Sequence, residues 1–355
     1  MNPVVGAGQE ISPLQGLPVT CHSSLITRTM YLFHPILKEV LWGGAAICPF
    51  KGLPPDPRKI GESWELSDVE GRRSVVAGGT ESGTPLNELI RTHGASLVGR
   101  SVMDRFGERF PLLIKFIDAC NDLSVQVHPD DETARQRHGS FGKTEMWYVI
   151  QALPGAALYS GFSRPIDADE FRRRVKEGTI MEVLRRYEVR PGDVFFLPAG
   201  RVHAIGSGCF VAEIQQTSDV TYRIYDYDRR DANGRPRELH IAQALDAIDY
   251  TYLPDHRTHY TPRPDSAVEL VHCPYFTTHL IDLTSQPMTR DFARLDSFVI
   301  YICTEGAATI RDDDGRECTL RRGQTTLLPA TTHSVTLTPS PGGAKLLETY
   351  IPADN

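Results

Sequence analysis

The segment Gln126–Asp131 (QVHPDD) places two possible metal ligands, Gln126 and His128, two positions apart. On a β-strand, side chains at this spacing point to the same face, so the amide and the imidazole converge. Two further apolar, strand-like segments carry a carboxylate, Glu145, and a second imidazole, His203. Two imidazoles, a carboxylate and an amide oxygen suit Zn²⁺, although Mn²⁺, Co²⁺ and Fe²⁺ accept similar ligands. The sequence therefore predicts a metal centre inside a β-barrel.

The overall composition is that of an ordinary soluble globular protein. The chain has 355 residues, enough for two domains, and its hydrophobic fraction is 40%. The net charge is −7 and there is no long basic run, which argues against a nucleic-acid partner or a membrane-surface partner. The longest apolar runs are much shorter than a membrane span.

The cysteine pattern and the amino terminus predict a cytoplasmic protein. The seven cysteines are scattered, odd in number and form no CxxC pair, which is typical of reduced thiols. Residues 1–28 lack the basic and apolar regions of a signal peptide. They are rich in Gly, Pro, Ser and Thr, and we expect a poorly ordered extension there.

Many short β-like segments separated by turns predict a mainly β fold. The exception is Asp167–Glu170, which has the pattern of a capping box and is followed by Phe171 and Val175 at helical spacing. A second apolar face at helical spacing follows Gly178, so we expect a small helical insertion at about 167–188. Residues 253–264 contain three prolines and are predicted to link a first domain, 29–252, to a second, 265–355.

A faint internal repeat suggests that the two domains are related. Gly192–His203 has the pattern G-x5-P-x-G-x2-H, and Gly323–His333 has the pattern G-x5-P-x-T-x-H. The first pattern resembles a motif of the cupin superfamily of double-sheet, jelly-roll β-barrels, and the second resembles a degenerate copy. We therefore expect two cupin-type barrels, with the helical insertion in the first. His333 has no neighbours resembling the other ligands, so we expect the second barrel to be metal-free and His333 to lie in a turn or on the surface.

Four segments taken together resemble type I mannose-6-phosphate isomerase, also called phosphomannose isomerase, in its short bacterial form. The resemblance covers roughly residues 30–355, and each segment alone would be a weak signal. The matching segments are Leu123–Asp131, Gly142–Tyr148, Gly192–His203 and Ser218–Asp228.

The resemblance implies a reaction and a set of ligands. Gln126, His128, Glu145 and His203 would hold one Zn²⁺ per chain. The family interconverts mannose 6-phosphate and fructose 6-phosphate through a cis-enediol, which requires a polarised carbonyl and a group that carries a proton. Glutamine in place of a histidine separates this set from the three-His, one-Glu set of many cupin oxygenases.

The resemblance also implies catalytic roles for three charged residues. Arg223 matches the active-site arginine of the family, and a guanidinium stabilises an enediolate or binds phosphate. Lys143 and Asp219 match residues that would belong to a proton relay. A structural ion pair is the alternative role for each of these two residues.

Three more residues are expected to contact substrate. Lys115 and Ser124 have the spacing from Gln126 that the family associates with the substrate phosphate, and an edge-strand lysine is the plain alternative for Lys115. Glu213 precedes the Arg223 segment and is a possible base on the same wall.

Two other functions compete with a zinc-dependent isomerase. A catalytically silent sugar-phosphate-binding cupin would keep the pocket but lose the proton-transfer residues, whereas Lys143, Asp219 and Arg223 are all present. An Fe²⁺ cupin oxygenase is disfavoured by Gln126 and by the residues associated with a sugar phosphate, Lys115, Ser124 and Arg223. We expect a monomer or a weak homodimer whose partner is a small sugar phosphate.

Overall fold

A computed structural model describes residues 30–230 and 233–353. Strands make up 43% and helices 16% of the described residues, which confirms the prediction of a mainly β fold. The predicted extension at residues 1–28 lies outside the described residues. Among the residues described, no helix combines the length and the apolar character needed to cross a membrane.

Twenty-two strands are present in the described part of the chain, and every pairing between them is antiparallel. In chain order they are β1 (Tyr31–Leu32), β2 (Ile36–Gly44), β3 (Ile60–Leu66), β4 (Asp68–Val69), β5 (Arg72–Arg73), β6 (Leu112–Ala119), β7 (Val125–Val127), β8 (Glu145–Ala152), β9 (Ala157–Phe162), β10 (Leu184–Glu188), β11 (Val194–Leu197), β12 (His203–Ile205), β13 (Cys209–Gln216), β14 (Tyr222–Tyr225), β15 (Arg257–Thr258), β16 (Ala267–Cys273), β17 (Phe276–Leu283), β18 (Met288–Asp291), β19 (Val299–Asp312), β20 (Glu317–Arg321), β21 (Thr325–Leu328) and β22 (Ser334–Tyr350).

The helices of the described residues are short and lie outside the sheets. They are α1 (Ile47–Phe50), α2 (Leu86–His93), α3 (Ala95–Val98), α4 (Arg100–Phe106), α5 (Asp131–His138), α6 (Ala168–Lys176) and α7 (Ile241–Ala247), with one 3-10 turn at Ile180–Val183. The predicted start of this helix is confirmed, because the Asp167 side chain accepts a hydrogen bond from the Glu170 N–H at the start of α6, whereas the Glu170 carboxylate pairs with Arg164.

Two sheets face each other in the amino-terminal part of the protein. The first sheet has five strands in the order β10-β9-β12-β7-β14, and the second has seven in the order β15-β11-β8-β13-β6-β2-β3. Trp147 and Phe195 of the seven-stranded sheet share one buried cluster with Leu158 and Ile205 of the five-stranded sheet. Residues that point into the space between these sheets can therefore come from either of them.

Strand alternation places the apolar residues of β7 on the outer side of the five-stranded sheet. Val125 and Val127 pack there against Phe171 of α6 and Ala244 of α7. Gln126 lies between these two valines and points to the opposite side, into the space between the sheets. The same alternation directs the neighbouring Ser124 and His128 inward.

The third large sheet contains eight strands and is built almost entirely from the carboxy-terminal part of the chain. Its main path is β1-β21-β19-β22-β17-β16, with β18 on β22 and β20 on β19. Ile300 and Leu347 on one face pack in the same core as Ile114 and Tyr148 of the seven-stranded sheet. Tyr301 and Leu346 on the other face belong to a separate core.

The structure differs from the sequence prediction at three places. Residues 184–188 form strand β10 on the free edge of β9, so the second predicted helix is wrong over this range. The predicted linker contributes β15, which extends the edge of the seven-stranded sheet. Tyr31 of β1 pairs with Leu327 in the carboxy-terminal sheet, far from the rest of the predicted first domain in sequence. Each difference arises at a free sheet edge. The unpaired backbone groups of an edge can pair with a short segment, whatever the spacing of apolar residues in that segment.

Six cysteines lie within the described residues, and all six are free thiols. Five of them are buried, as expected for small hydrophobic residues. Cys21 lies outside the described part of the chain.

Candidate metal centre and substrate cleft

Two turns position the histidines. His128 follows β7 directly, and Asp130, two residues later, caps helix α5 by accepting a hydrogen bond from the Thr133 N–H. The Gly200 N–H donates to the His128 carbonyl, which ties the turn before β12 to this segment. Gly200 has a φ of +87°, and an added Cβ would lie 3.0 Å from the carbonyl oxygen of Ala247. This turn therefore requires glycine, and it delivers His203 to the start of β12.

The four predicted ligands come from both facing sheets. His203 pairs with Gln126 in the five-stranded sheet. Glu145 begins β8 in the seven-stranded sheet, between Leu197 of β11 and Gln215 of β13. The sheets must therefore pack together before the carboxylate meets the imidazoles.

Three of these side chains form the potential metal-binding group found among the described residues. The ligand atoms of His128, Glu145 and His203 all lie within 4.8 Å of one another. Glu145 Oε1 lies 3.2 Å from His203 Nε2, and Glu145 Oε2 lies 3.6 Å from His128 Nε2. Atoms that surround a tetrahedral zinc at about 2.0–2.1 Å are separated by roughly 3.3 Å. The spacing therefore fits a divalent ion.

The hydrogen bonds that the two imidazoles make through Nδ1 leave a lone pair on each inner nitrogen, Nε2. Nδ1 of His128 lies 2.9 Å from the Val220 carbonyl, and Nδ1 of His203 lies 2.8 Å from the Arg201 carbonyl. A carbonyl oxygen only accepts, so each Nδ1 carries the proton and each Nε2 keeps a lone pair. Burial, followed by the Lys143 ammonium, lowers the pKa of His203 to about 3 and the pKa of His128 well below its usual value. Neutral imidazoles are the form that binds metal.

The carboxylate supplies the clearest test of whether these residues fit a metal. Glu145 is fully buried, and its Oε1 has no hydrogen-bond partner. Burial raises the pKa of Glu145, against the opposing effect of the Lys143 ammonium. An orphaned carboxylate oxygen beside two imidazole lone pairs is the arrangement that a bound cation would satisfy.

Gln126 completes the group. Its amide nitrogen is placed 3.2 Å from His203 Nε2. The two ends of an amide are assigned from their hydrogen bonds, and a half-turn of this amide places the carbonyl oxygen at the same position. The residues present therefore match the predicted donor set of two imidazoles, one carboxylate and one amide oxygen.

Lys143 connects the metal group to the adjacent cleft. Its ammonium lies 2.9 Å from His128 Nε2 and donates to Glu145 Oε2 at 2.5 Å. The side chain is almost fully buried, yet it also lines the cleft. Lys143 is thus the charged group that lies against both the predicted ligands and the space open to a substrate.

This cleft has a volume of about 200 Å³ and lies between the two sheets. The predicted residues that line it are Lys115, Ser124, Gln126, Lys143, Glu213, Asp219 and Arg223. The remaining three, His128, Glu145 and His203, form the potential metal-binding group, which Gln126 and Lys143 connect to the cleft. The structure therefore brings all ten predicted site residues together.

Lys115 and Glu213 form a buried ion pair in the cleft wall. The Lys115 ammonium donates to Glu213 Oε1 at 2.7 Å and to the Gln215 side-chain oxygen at 2.6 Å. Burial alone would lower the pKa of Lys115, but the carboxylates of Glu213 and Glu62 raise it. Glu213 also accepts from Trp147 Nε1 at 2.9 Å. Most of the charge of Lys115 is therefore neutralised within the protein.

Arg223 and Asp219 differ from that pair because they are not matched to an opposite charge. Arg223 donates to the Glu238 carbonyl, and its buried Nε has no partner. Burial, followed by the charge of Arg237, lowers the pKa of Arg223. Asp219 is exposed on the cleft wall and makes no side-chain hydrogen bond with any described residue. Both groups are free to contact a bound molecule.

Comparisons with known proteins identify the family of this chain. The family profile described as phosphomannose isomerase type I, catalytic domain, matches residues 32–146, and the profile described as mannose-6-phosphate isomerase, cupin domain, matches residues 266–346. Mannose-6-phosphate isomerase ManA of Bacillus subtilis is 41% identical over 255 residues, which are 71% of this chain and 79% of that protein. The chain belongs to the type I mannose-6-phosphate isomerase family. It is therefore an isomerase.

Other members of the family extend the similarity over most of the chain. A putative mannose-6-phosphate isomerase of Bacillus subtilis, YvyI, is 34% identical over 308 residues, 86% of this chain and 94% of that protein. The crystal structure of a mannose 6-phosphate isomerase from Bacillus subtilis superimposes with a TM-score of 0.80 at 33% identity, covering 91% of this chain and 99% of the other. A structure from Archaeoglobus fulgidus, with a TM-score of 0.75 and 23% identity, shares the fold.

Several cleft residues of this type I isomerase were missed by sequence reasoning. On the wall opposite Arg223, Glu62 accepts hydrogen bonds from Lys38 at 2.8 Å and from Trp64 Nε1 at 2.6 Å. Arg237 also lines the cleft. The strand-like alternation of apolar and polar residues over 60–67 could have indicated Glu62 and Trp64, because it places both side chains on one strand face. Lys38 and Arg237 lie in segments with no pattern that would mark them.

Proposed function

We propose that this isomerase interconverts mannose 6-phosphate and fructose 6-phosphate through a cis-enediol, with Zn²⁺ as its metal. The observation that carries the proposal is the buried, unpartnered Glu145 Oε1 beside two imidazole lone pairs, at one end of a cleft that contains an unpaired arginine. The names of the relatives, mannose-6-phosphate isomerase in each case, support the choice of substrate.

Gln126, His128, Glu145 and His203 would hold the metal. When bound, the ion acts as a Lewis acid that polarises the sugar carbonyl. In this donor set, neutral nitrogen and amide oxygen atoms outnumber the single carboxylate, so the ion would keep much of its positive charge for that purpose.

The charged residues of the cleft would carry the rest of the reaction. A proton leaves C2 for C1 and a hydroxyl proton passes from O2 to O1, so the isomerisation needs no other reactant. Asp219 is suited to carry the carbon-bound proton because its carboxylate faces the cleft without a protein partner. Arg223 and Lys143 would stabilise the negative charge that develops on the sugar oxygens.

The buried Lys115–Glu213 pair would shape the wall against which the sugar lies. Lys115 uses two of its three N–H groups within the protein, so at most one remains for a ligand. We assign Lys115 and Glu213 to substrate positioning, together with Ser124, which lies two residues before Gln126 on the same strand face.

We further propose that the facing sheets form one cupin-type barrel and the eight-stranded sheet forms a second, metal-free one. The cupin-domain profile over residues 266–346 supports the second barrel. The proposed domains are 29–252 and 265–355, with β1 crossing to the second. The helical insertion at about 167–188 would be reduced to α6 and the 3-10 turn, because residues 184–188 are a strand.

A cytoplasmic location and a monomer or weak homodimer complete the proposal. The free thiols support the reducing compartment. The absence of long basic and apolar runs supports a small sugar phosphate, rather than a nucleic acid or a membrane, as the partner.

Purified protein incubated with fructose 6-phosphate before and after EDTA tests the function. We expect mannose 6-phosphate to form, to disappear with EDTA and to return when Zn²⁺ is restored, with Mn²⁺, Co²⁺ and Fe²⁺ as parallel additions. Binding of fructose 6-phosphate without turnover in metal-loaded protein would instead identify a silent sugar-phosphate-binding protein. Oxygen consumption that requires Fe²⁺ would identify an oxygenase.

A further inference from the structure

The lysines and arginines in and around the cleft differ in whether each has its own carboxylate partner. Lys38 is paired with Glu62, and Lys115 with Glu213. Asp226, in contrast, receives two guanidinium groups, because both Arg229 and Arg237 bind it. One carboxylate and two guanidinium groups give this cluster a net charge of +1.

The cluster is built so that only one of its arginines reaches the cleft. Asp226 is buried at 5% exposure and accepts from Arg237 Nε at 2.7 Å and from Arg229 Nη2 at 2.5 Å. Arg237 lines the cleft, whereas Arg229 does not line it and donates to the Asp122 carbonyl instead. Arg237 also binds Asp226 through Nη2, which leaves Nη1 with two N–H groups and no partner among the described residues.

The position of this cluster along the strands matches the distance between the two ends of a hexose phosphate. Arg223 pairs with Gln126 at the metal end of the cleft, and Tyr225 pairs with Val125 one step further out. Asp226 therefore lies at the level of Ser124, which also lines the cleft. Two residues of a strand span about 6.7 Å, which is comparable to an extended hexose chain from its carbonyl to C6. A sugar whose carbonyl lies at the metal end would bring its phosphate to this level.

We propose that Arg237 is the phosphate-binding arginine of the cleft, acting with Ser124, and that Asp226 is a positioning residue that fixes its guanidinium. This inference rests on the proposed function, because it assumes a substrate with a terminal phosphate. Bidentate binding to Asp226 holds the guanidinium plane, and the free Nη1 edge then presents paired donors to a phosphate. Arg223, beside Gln126, serves the reacting end of the sugar, so the two arginines have separate tasks.

Steady-state kinetics of the Arg237→Gln variant, with zinc bound, test this assignment. We expect KM for mannose 6-phosphate to rise by about 10-fold or more, as for loss of a hydrogen bond to a charged group. We expect kcat to stay within about threefold, because uniform binding energy has been removed. The inhibition constant of inorganic phosphate should rise by a similar factor, and the zinc content should be unchanged.

Arg229→Gln is the matched control, because Arg229 binds the same carboxylate from outside the cleft. It should leave KM and phosphate inhibition near those of the wild type. Asp226→Asn should raise KM by less than Arg237→Gln does. Arg237→Lys keeps a positive charge and should recover part of the substrate affinity, which a folding defect at this position would not allow. A fall in kcat without a change in KM or in phosphate inhibition would refute the assignment, as would equal effects of Arg229→Gln and Arg237→Gln.

Calorimetry separates this inference from the proposed function. Titration of wild-type and Arg237→Gln protein with inorganic phosphate and with fructose 6-phosphate needs no turnover. If the wild type binds both and the variant binds both at least about 10-fold more weakly, the phosphate site stands even if no isomerisation is found. Equal binding by the two proteins would overturn it.

Discussion

Glu145 and Glu348 are both fully buried on strands of the same protein, but their surroundings differ. Glu348 in the carboxy-terminal sheet accepts two hydrogen bonds from Arg290, at 2.9 and 2.7 Å, and one from the Tyr301 hydroxyl at 2.7 Å. Glu145 accepts from Lys143 on one oxygen only. The protein therefore neutralises the charge of Glu348, whereas Glu145 Oε1 is buried without a hydrogen-bond partner.

The arginines of the two regions show the same contrast. Arg290 is paired with Glu348 in a bidentate ion pair, and its pKa is raised, since the hydrogen bonds and charge of Glu348 outweigh the burial that would lower it. Arg223 has no such carboxylate, and its pKa is lowered by burial. An unpaired, half-buried cation lowers the free energy of unfolding, as charged residues of binding sites often do.

The repeated G-x5-P motif ends differently in the two regions. His203 is buried with its inner nitrogen directed at Glu145. His333 is exposed in the turn before β22, where its backbone N–H donates to Asp313. The location of His333 confirms the expectation of a turn or surface histidine.

The largest expected effect on turnover comes from Glu145→Gln, which keeps the shape of the side chain but removes its charge. We expect metal affinity to fall by more than about 100-fold, because mutation of a residue that only hydrogen-bonds to a metal ligand already lowers affinity by about 10–100-fold. Metal content by elemental analysis and turnover with mannose 6-phosphate should fall together. Full zinc occupancy in this variant would show that Glu145 is a structural carboxylate like Glu348.

Arg223→Ala should have the next largest effect on turnover. We expect kcat to fall by about 100-fold, since a donor aimed at developing charge is lost, while the metal is retained. Parallel assays of metal content and kcat distinguish this result from that of Glu145→Gln. Unimpaired kcat would exclude Arg223 from the reaction.

Glu348→Ala should affect stability but not turnover. Removing one partner of a buried ion pair costs about 3–5 kcal/mol, because Arg290 would remain without its carboxylate. Denaturant midpoints should fall, while the folded fraction keeps the wild-type kcat and KM. The double variant Arg290→Met/Glu348→Leu, in which neither charge remains, should recover most of the loss. A large change in kcat would instead connect this cluster to catalysis.

His333→Ala should have the smallest effect. An exposed turn residue changes the free energy of unfolding by no more than about 0.5 kcal/mol. Zinc content and turnover should match those of the wild type, and His203→Ala, at the equivalent position of the first motif, is the comparison. A loss of metal in His333→Ala would mean that the second copy of the motif is functional.

Local sequence determined the parts of this protein that depend on neighbours along the chain. The spacing of Gln126 and His128 follows from strand alternation, and the Asp167 cap follows from a four-residue pattern. The residue types of the donor set, together with the family resemblance, were enough to predict all ten residues that the structure brings together.

Tertiary structure alone decided which buried charges have an opposite charge beside them and which do not. Glu62 with Lys38, and Asp226 with both Arg229 and Arg237, are contacts that no local pattern encodes. The same is true of residues 184–188, whose apolar spacing fits a helix but which pair with the free edge of β9. Spacing along the chain reports local geometry, whereas charge pairing and edge pairing depend on which segments meet after the sheets have packed.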